Sequence, residues 1–190
     1  ALNGILERDS SNSSAAKRLI PIYESAGSWD KMPAVYDVVI AKTNNAVERE
    51  ELLVAKASIH EEHLRDADSA FFCYVSAFQE NADSAELRSE FDRLAELSGN
   101  WETYVSVLEG VARTREDRAD EVRILLHVAE IYHTQLNAED RALAHYNQIL
   151  RELDKGNSQA LQAVEGIYRE TGQWMDLVEV LHTKLKRKGI

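Results

Sequence analysis

Apolar residues along this chain recur at separations of three and four. Leu52, Leu53, Ala57, Ile59 and Leu64 form one such run, and Leu125, Leu126, Ala129, Ile131, Tyr132 and Leu136 form another. That period gathers them on one face of an α-helix. The polar breaks between runs are short and carry cap chemistry. Asp83 and Ser84 stand just before Glu86, and Asp30, Asn100 and Asn137 are placed similarly, where a side-chain oxygen can accept from the free amides of a helix start. Gly27, Gly99 and Gly172 lie where helices should end, and each supplies a left-handed residue. The pattern predicts helices over 14–26, 30–42, 46–65, 67–80, 84–98, 101–114, 117–136, 139–153, 158–171 and 174–187. Taken in pairs they make antiparallel hairpins at 13–43, 46–81, 83–114, 117–154 and 157–188.

The hairpins repeat. Trp29, Trp101 and Trp174 are 72 and 73 residues apart, and each follows a glycine by two positions. A shift of 72 also pairs Leu53 with Leu125, Ala57 with Ala129, Ile59 with Ile131, Ala70 with Ala142 and Tyr74 with Tyr146. A fixed period of this kind marks an array, because one hairpin cannot bury its apolar stripe alone and must stack on neighbours. The alanines let helices approach closely while larger side chains fill the gaps. The expected class is therefore all-α, an α–α superhelix or solenoid of stacked hairpins, forming a single repeat domain over 1–190. Tryptophans that recur at one repeat position point to packing rather than to ligand cages, so all three should be largely buried. Ala1–Arg8 reads like Ala144–Arg151, the end of a second helix. Residues 1–10 are accordingly expected to be the remnant of an upstream hairpin in a longer array, with exposed ends open to self-association.

The half-period from Glu121 resembles a tetratricopeptide repeat, through Ala129, Tyr132, Ala142, Tyr146 and Ile149. The earlier copy gives Ala57, His60, Ala70, Tyr74 and Ala77. The departures are one extra loop residue, Asp154 where the family has proline, and Tyr104 or Leu177 where the second helix normally places alanine. Alternation of a longer hairpin with a Gly-x-Trp hairpin resembles the large bacterial arrays of this superfamily. The resemblance implies a right-handed superhelix whose concave face is lined by the first helix of each hairpin, and a protein-binding role. Carried over by aligning Ala57 and Ala129, the concave positions are Glu51, Val54 and Glu61, then Glu86, Arg93 and Glu96, then Arg123, Leu126, Glu130 and His133. Acids outnumber bases five to two among these, which favours a basic or mixed-charge peptide or protein partner. The pairing of Lys17 and Arg123 with asparagines that would form a carboxylate clamp is missing.

Composition narrows the alternatives. With 33 acidic and 22 basic residues the formal charge is −11, which disfavours nucleic acid and with it an RNA-processing scaffold. No apolar run approaches the roughly 18 residues of a membrane span. The lone Cys73 cannot form an internal disulfide and suits a reducing cytoplasm. His60-Glu61-Glu62-His63 invites a metal reading, but zinc-protease histidines stand four apart, and His60 takes the register of the aromatic Tyr132. No phosphate loop, nucleophile elbow or acid–base constellation emerges, so no cofactor, metal or catalytic residue is expected. Lys184, Lys186, Arg187 and Lys188 complement the carbonyl end of a helix. Pro21 should kink its helix, whereas Pro33 falls in a first turn that tolerates it. The expected function is an interaction scaffold, with a structural spacer in a larger assembly as the alternative.

Overall fold

The computed structural model describes residues 12–187. Among these residues there are ten α-helices and no strand: α1 (Ser13–Ser25), α2 (Met32–Ile40), α3 (Ala46–Ser58), α4 (Ala67–Glu80), α5 (Ala85–Ser98), α6 (Trp101–Arg113), α7 (Arg118–Thr134), α8 (Glu139–Gln148), α9 (Ser158–Glu170) and α10 (Trp174–Arg187). A 3-10 turn, Trp29–Lys31, leads into α2, and π-helical turns at Ile59–His63 and Ile149–Leu153 extend α3 and α8. The all-α class is thus the one the apolar period predicts. The expected remnant at 1–10, and Lys188 of the basic end, lie outside the described residues.

The chain forms two compact units, Ala1–Asn100 and Trp101–Ile190, so the expected hairpin 83–114 has its helices in different units. In each unit every helix packs on the next in sequence. In the first, Ala16, Leu19, Val35 and Val39 bind α1 to α2, with Leu52 of α3 against them. Further along, Phe71 and Phe78 of α4 stack on Phe91 of α5, with ring centroids 5.2 and 5.3 Å apart. In the second unit Val105, Leu108, Val128, Ile149 and Val164 are completely enclosed. Ala57, Ala70, Ala129 and Ala142 are buried at the close approaches.

Side-chain caps open the first helix of each hairpin. Asn12, Asn45, Ser84 and Asn157 accept from an amide three residues on, and Asp117 from one two residues on. Ser84, not Asp83, caps α5, and the Asn100 side-chain amide donates to Asp68 at 2.8 Å. Asp30 sits inside the 3-10 turn, and Asn137 is not a cap but a left-handed link.

That link exposes the repeat in the backbone. A residue with positive φ lies in the turn between the expected partner helices every time: Gly27, Arg65, Gly99, Asn137 and Gly172. At Gly27 and Gly172 the following amide reaches back five residues, Ser28 to Tyr23 and Gln173 to Tyr168, which closes the helix C-terminus. The two longer hairpins share a wider closure. Asp66 N–H donates to His60 and Ala138 N–H to Tyr132, six residues back in both. Pro21 lies within α1 without ending it.

The tryptophans differ from expectation. Trp29 and Trp101 are only partly buried, and Trp174 is 62% exposed. Trp29 stacks face to face on His63 at 3.6 Å. A Cβ placed on Gly27 or Gly172 would make only ordinary contact, at 3.9 Å, with the indole nitrogen of the tryptophan two residues on, so the positive φ and not crowding selects glycine there.

Candidate interaction surfaces

The expected concave positions in the first unit project from α3 and α5, and the structure gathers some of them. Glu51, Val54 and Glu86 line one cleft of about 530 Å3, together with Glu50, Ala55, Tyr74, Ser84, Leu87 and Glu90. Its floor is apolar and its rim is four carboxylates. Glu50 accepts from the Asn81 amide at 3.1 Å, and Glu86 accepts from the Ser84 hydroxyl at 3.2 Å. No cation is among the lining residues, and of the four carboxylates Glu90 is paired from outside the cleft by Arg93 at 2.8 Å.

Glu61 and Arg93 behave differently. The Arg93 guanidinium donates to both Glu61 oxygens at 2.7 Å and to Glu90 at 2.9 Å. This fork holds α3 to α5 with two parallel bonds, and the hydrogen bonds from Arg93 hold the Glu61 carboxyl below its ordinary range. Both side chains therefore serve each other before any ligand. Glu96 is exposed on α5 but does not line the cleft.

In the second unit the expected residues lie on α7. Arg123 is exposed and pairs with Asp120 at 3.0 Å. Leu126 is only 8% exposed, so it packs within the unit and offers a ligand little surface. Glu130 is exposed, and His133 is half-buried with its Nδ1 unpartnered.

Sequence reasoning missed two further clefts. One of about 580 Å3 in the first unit runs between α2 and α4 over α3, past Asp37, Arg49, Lys56, His60, Phe72 and Cys73. Its ions are matched: Arg49 forks onto Glu80 at 2.8 and 2.6 Å, and Lys56 donates to Asp37. Cys73 and His60 both line this cleft, which invites a thiol reading. The electrostatics oppose it. Burial pushes the Cys73 thiol up to about 11, whereas a nucleophile needs it lowered. The other cleft, of about 720 Å3, lies between α9 and α10. No signal in the helical period distinguishes these clefts, because side chains that line a groove and side chains that fill it share the same apolar spacing.

Among the described residues no group of three or more histidine, cysteine or carboxylate side chains could hold a metal, and no helix is long and apolar enough to cross a membrane. No family model and no curated protein matches this chain. Among solved structures it is similar to the crystal structure of MamA, at 15% identity over 88% of this chain and 95% of that one, with a TM-score of 0.47. It is also similar to the crystal structure of BtubC (BKLC) from P. vanneervenii, at 12% identity over 100% of this chain and 87% of that one, with a TM-score of 0.44.

Proposed function

We propose that the chain is a non-catalytic interaction scaffold of tetratricopeptide-like hairpins, and that the acidic cleft between α3 and α5 holds a basic polypeptide segment. The observation that carries this is the cleft itself: Val54, Ala55, Tyr74 and Leu87 under a rim of Glu50, Glu51, Glu86 and Glu90. An apolar floor with one sign of charge around it suits an extended segment that alternates aliphatic and Lys or Arg side chains. Rim contacts of this kind stay partly solvated, so binding is modest and weakens with salt.

The test is titration of fluorescent Lys/Arg-rich peptides by anisotropy. Reversing Glu51 and Glu86 together to lysine should weaken binding roughly tenfold, through loss of attraction and gain of repulsion. Unchanged affinity in that variant would remove the cleft from consideration. Glu61 is the wrong residue to reverse, since its loss strands Arg93 and disturbs the α3–α5 contact. That same fork favours a second reading, a spacer whose charges are spent holding helices together. A spacer binds none of the peptides, before or after reversal.

A further inference from the structure

The acidic cleft between α3 and α5 is more particular than its charge. In the second unit α7 and α9 hold the same register, 72 and 73 residues on. There Val122, Arg123, Gln159 and Ala163 stand in the places of Glu50, Glu51, Glu86 and Glu90. The helices of this repeat therefore form without these carboxylates, while the tyrosine of the floor recurs, Tyr74 as Tyr146. Tyr74 is 7% exposed and lines the cleft, yet its hydroxyl bonds to nothing among the described residues and is not sealed in the core. Burial, with Glu90 nearby, pushes the phenol's pKa up. The group stays a neutral O–H, able to accept one N–H and to donate to a carboxylate. A buried polar group without a partner calls for one.

The carboxylates are held one oxygen at a time. Oε2 of Glu50 accepts from Asn81 at 3.1 Å, Oε2 of Glu86 from Ser84 at 3.2 Å, and Oε2 of Glu90 from Arg93 at 2.9 Å. The Oε1 of each has no partner among the described residues. A guanidinium asks for more than that: Arg93 takes both oxygens of Glu61, at 2.7 Å each. Single oxygens from several acids, with a phenolic oxygen on the floor, suit the three divergent donors of an ammonium better than a planar fork. Glu51 keeps both oxygens free but stands exposed, where a fork gains little. Val54 and Leu87 offer apolar surface to a methylene stem. We infer that the cleft recognises a lysine side chain of a partner polypeptide, with Tyr74 and the rim carboxylates as acceptors for its ammonium, and discriminates against arginine. This rests on the basic-segment reading above and narrows it.

The probes are two fluorescein-labelled peptides, one alternating valine with lysine and the other valine with arginine. Each is titrated with the whole chain and followed by anisotropy. On an ordinary acidic surface arginine binds at least as tightly as lysine, because its fork suits carboxylates and it is more weakly hydrated. Here the lysine peptide should bind at least about threefold more tightly. Tyr74→Phe should weaken the lysine peptide several-fold and erase most of that preference. The variant removes only an unpartnered hydroxyl, and an unchanged helical melting curve will show that it folds. Asn81→Ala, which frees the second oxygen of Glu50, should strengthen the arginine peptide alone. Arginine binding as tight as lysine binding, or a lysine preference that survives Tyr74→Phe intact, would overturn the inference. If the joint reversal of Glu51 and Glu86 to lysine then still weakens both peptides, the basic-segment reading stands without it. Failure of both peptides to bind removes that reading and the inference together.

Discussion

A left-handed residue marks each turn between partner helices, and its identity carries a stability cost. Glycine meets the requirement freely at Gly27, Gly99 and Gly172, while Arg65 adopts φ 57° and Asn137 φ 49°. For a residue with a Cβ this conformation costs roughly 1–2 kcal/mol, less for asparagine, whose side chain tolerates it. Arg65→Gly should therefore raise stability by about 0.5–1 kcal/mol, the strain removed being partly offset by a freer unfolded chain. Gly99→Ala is the converse. An added Cβ there meets nothing within 4 Å, so only the conformational penalty remains, and a loss of about 1 kcal/mol is expected. Urea denaturation of both variants measures the pair, and the wrong sign at either would show that side-chain contacts dominate the turn. The glycines were legible in the sequence because no other residue enters this region so readily. Arg65 was not: nothing in an arginine spells a left-handed turn, and only its 72-residue offset from Asn137 gives it away.

At the scale of the helix, α3 was legible in its start and its apolar face but not in its end. Asn45 caps it as side-chain chemistry predicts, yet its last turn widens into the π segment Ile59–His63, because Leu64 and Asp66 reach back five and six residues for their acceptors. That turn buries His60, which is 9% exposed in the register of Tyr132. Its Nδ1 lies 3.5 Å from an Asp66 oxygen, short of a hydrogen bond. Burial pushes the imidazole below its ordinary value, while Asp66 and Asp37 pull upward and Lys56 pushes further down. The unfolded chain thus takes a proton near pH 6.5 that the folded chain resists. His60 contributes its full share of stability above that pH, and the share declines as pH falls through 6.5 toward the lower folded value. Melting temperatures of the chain and of His60→Phe, compared at pH 7.5 and 5.5, should show a smaller acid-side drop in the variant. An equal drop would assign the pH dependence to other groups.

At the scale of the whole molecule, what could be read was whatever repeats. Ala57 and Ala129, or Leu53 and Leu125, announce a shared core because burial imposes one residue type on every copy. Surface roles are not imposed that way. The expected concave face includes Glu61 and Arg93, which bind each other, and Leu126, which is packed. The exposure of Leu181 and Leu185 on α10 was equally invisible, since apolar positions read the same whether covered or exposed. Repetition also shapes folding. When each element contacts only its sequence neighbours, stability is close to a sum of local terms, and part of an array can fold without the rest. The first unit meets that condition: its cores at Leu19 and Val39, at Met32 and Ile59, and at Phe71, Phe78 and Phe91 are built entirely from residues before Asn100. A fragment of residues 1–100 should therefore be strongly helical by circular dichroism and unfold in urea in one cooperative step with a sloped baseline no steeper than that of the whole chain. Leu97, already 58% exposed, adds little new apolar surface to that fragment's end. A broad, non-cooperative transition with strong binding of a hydrophobic dye would mean that the Phe91 core depends on residues beyond Asn100, and that the two compact units are not independent folding units.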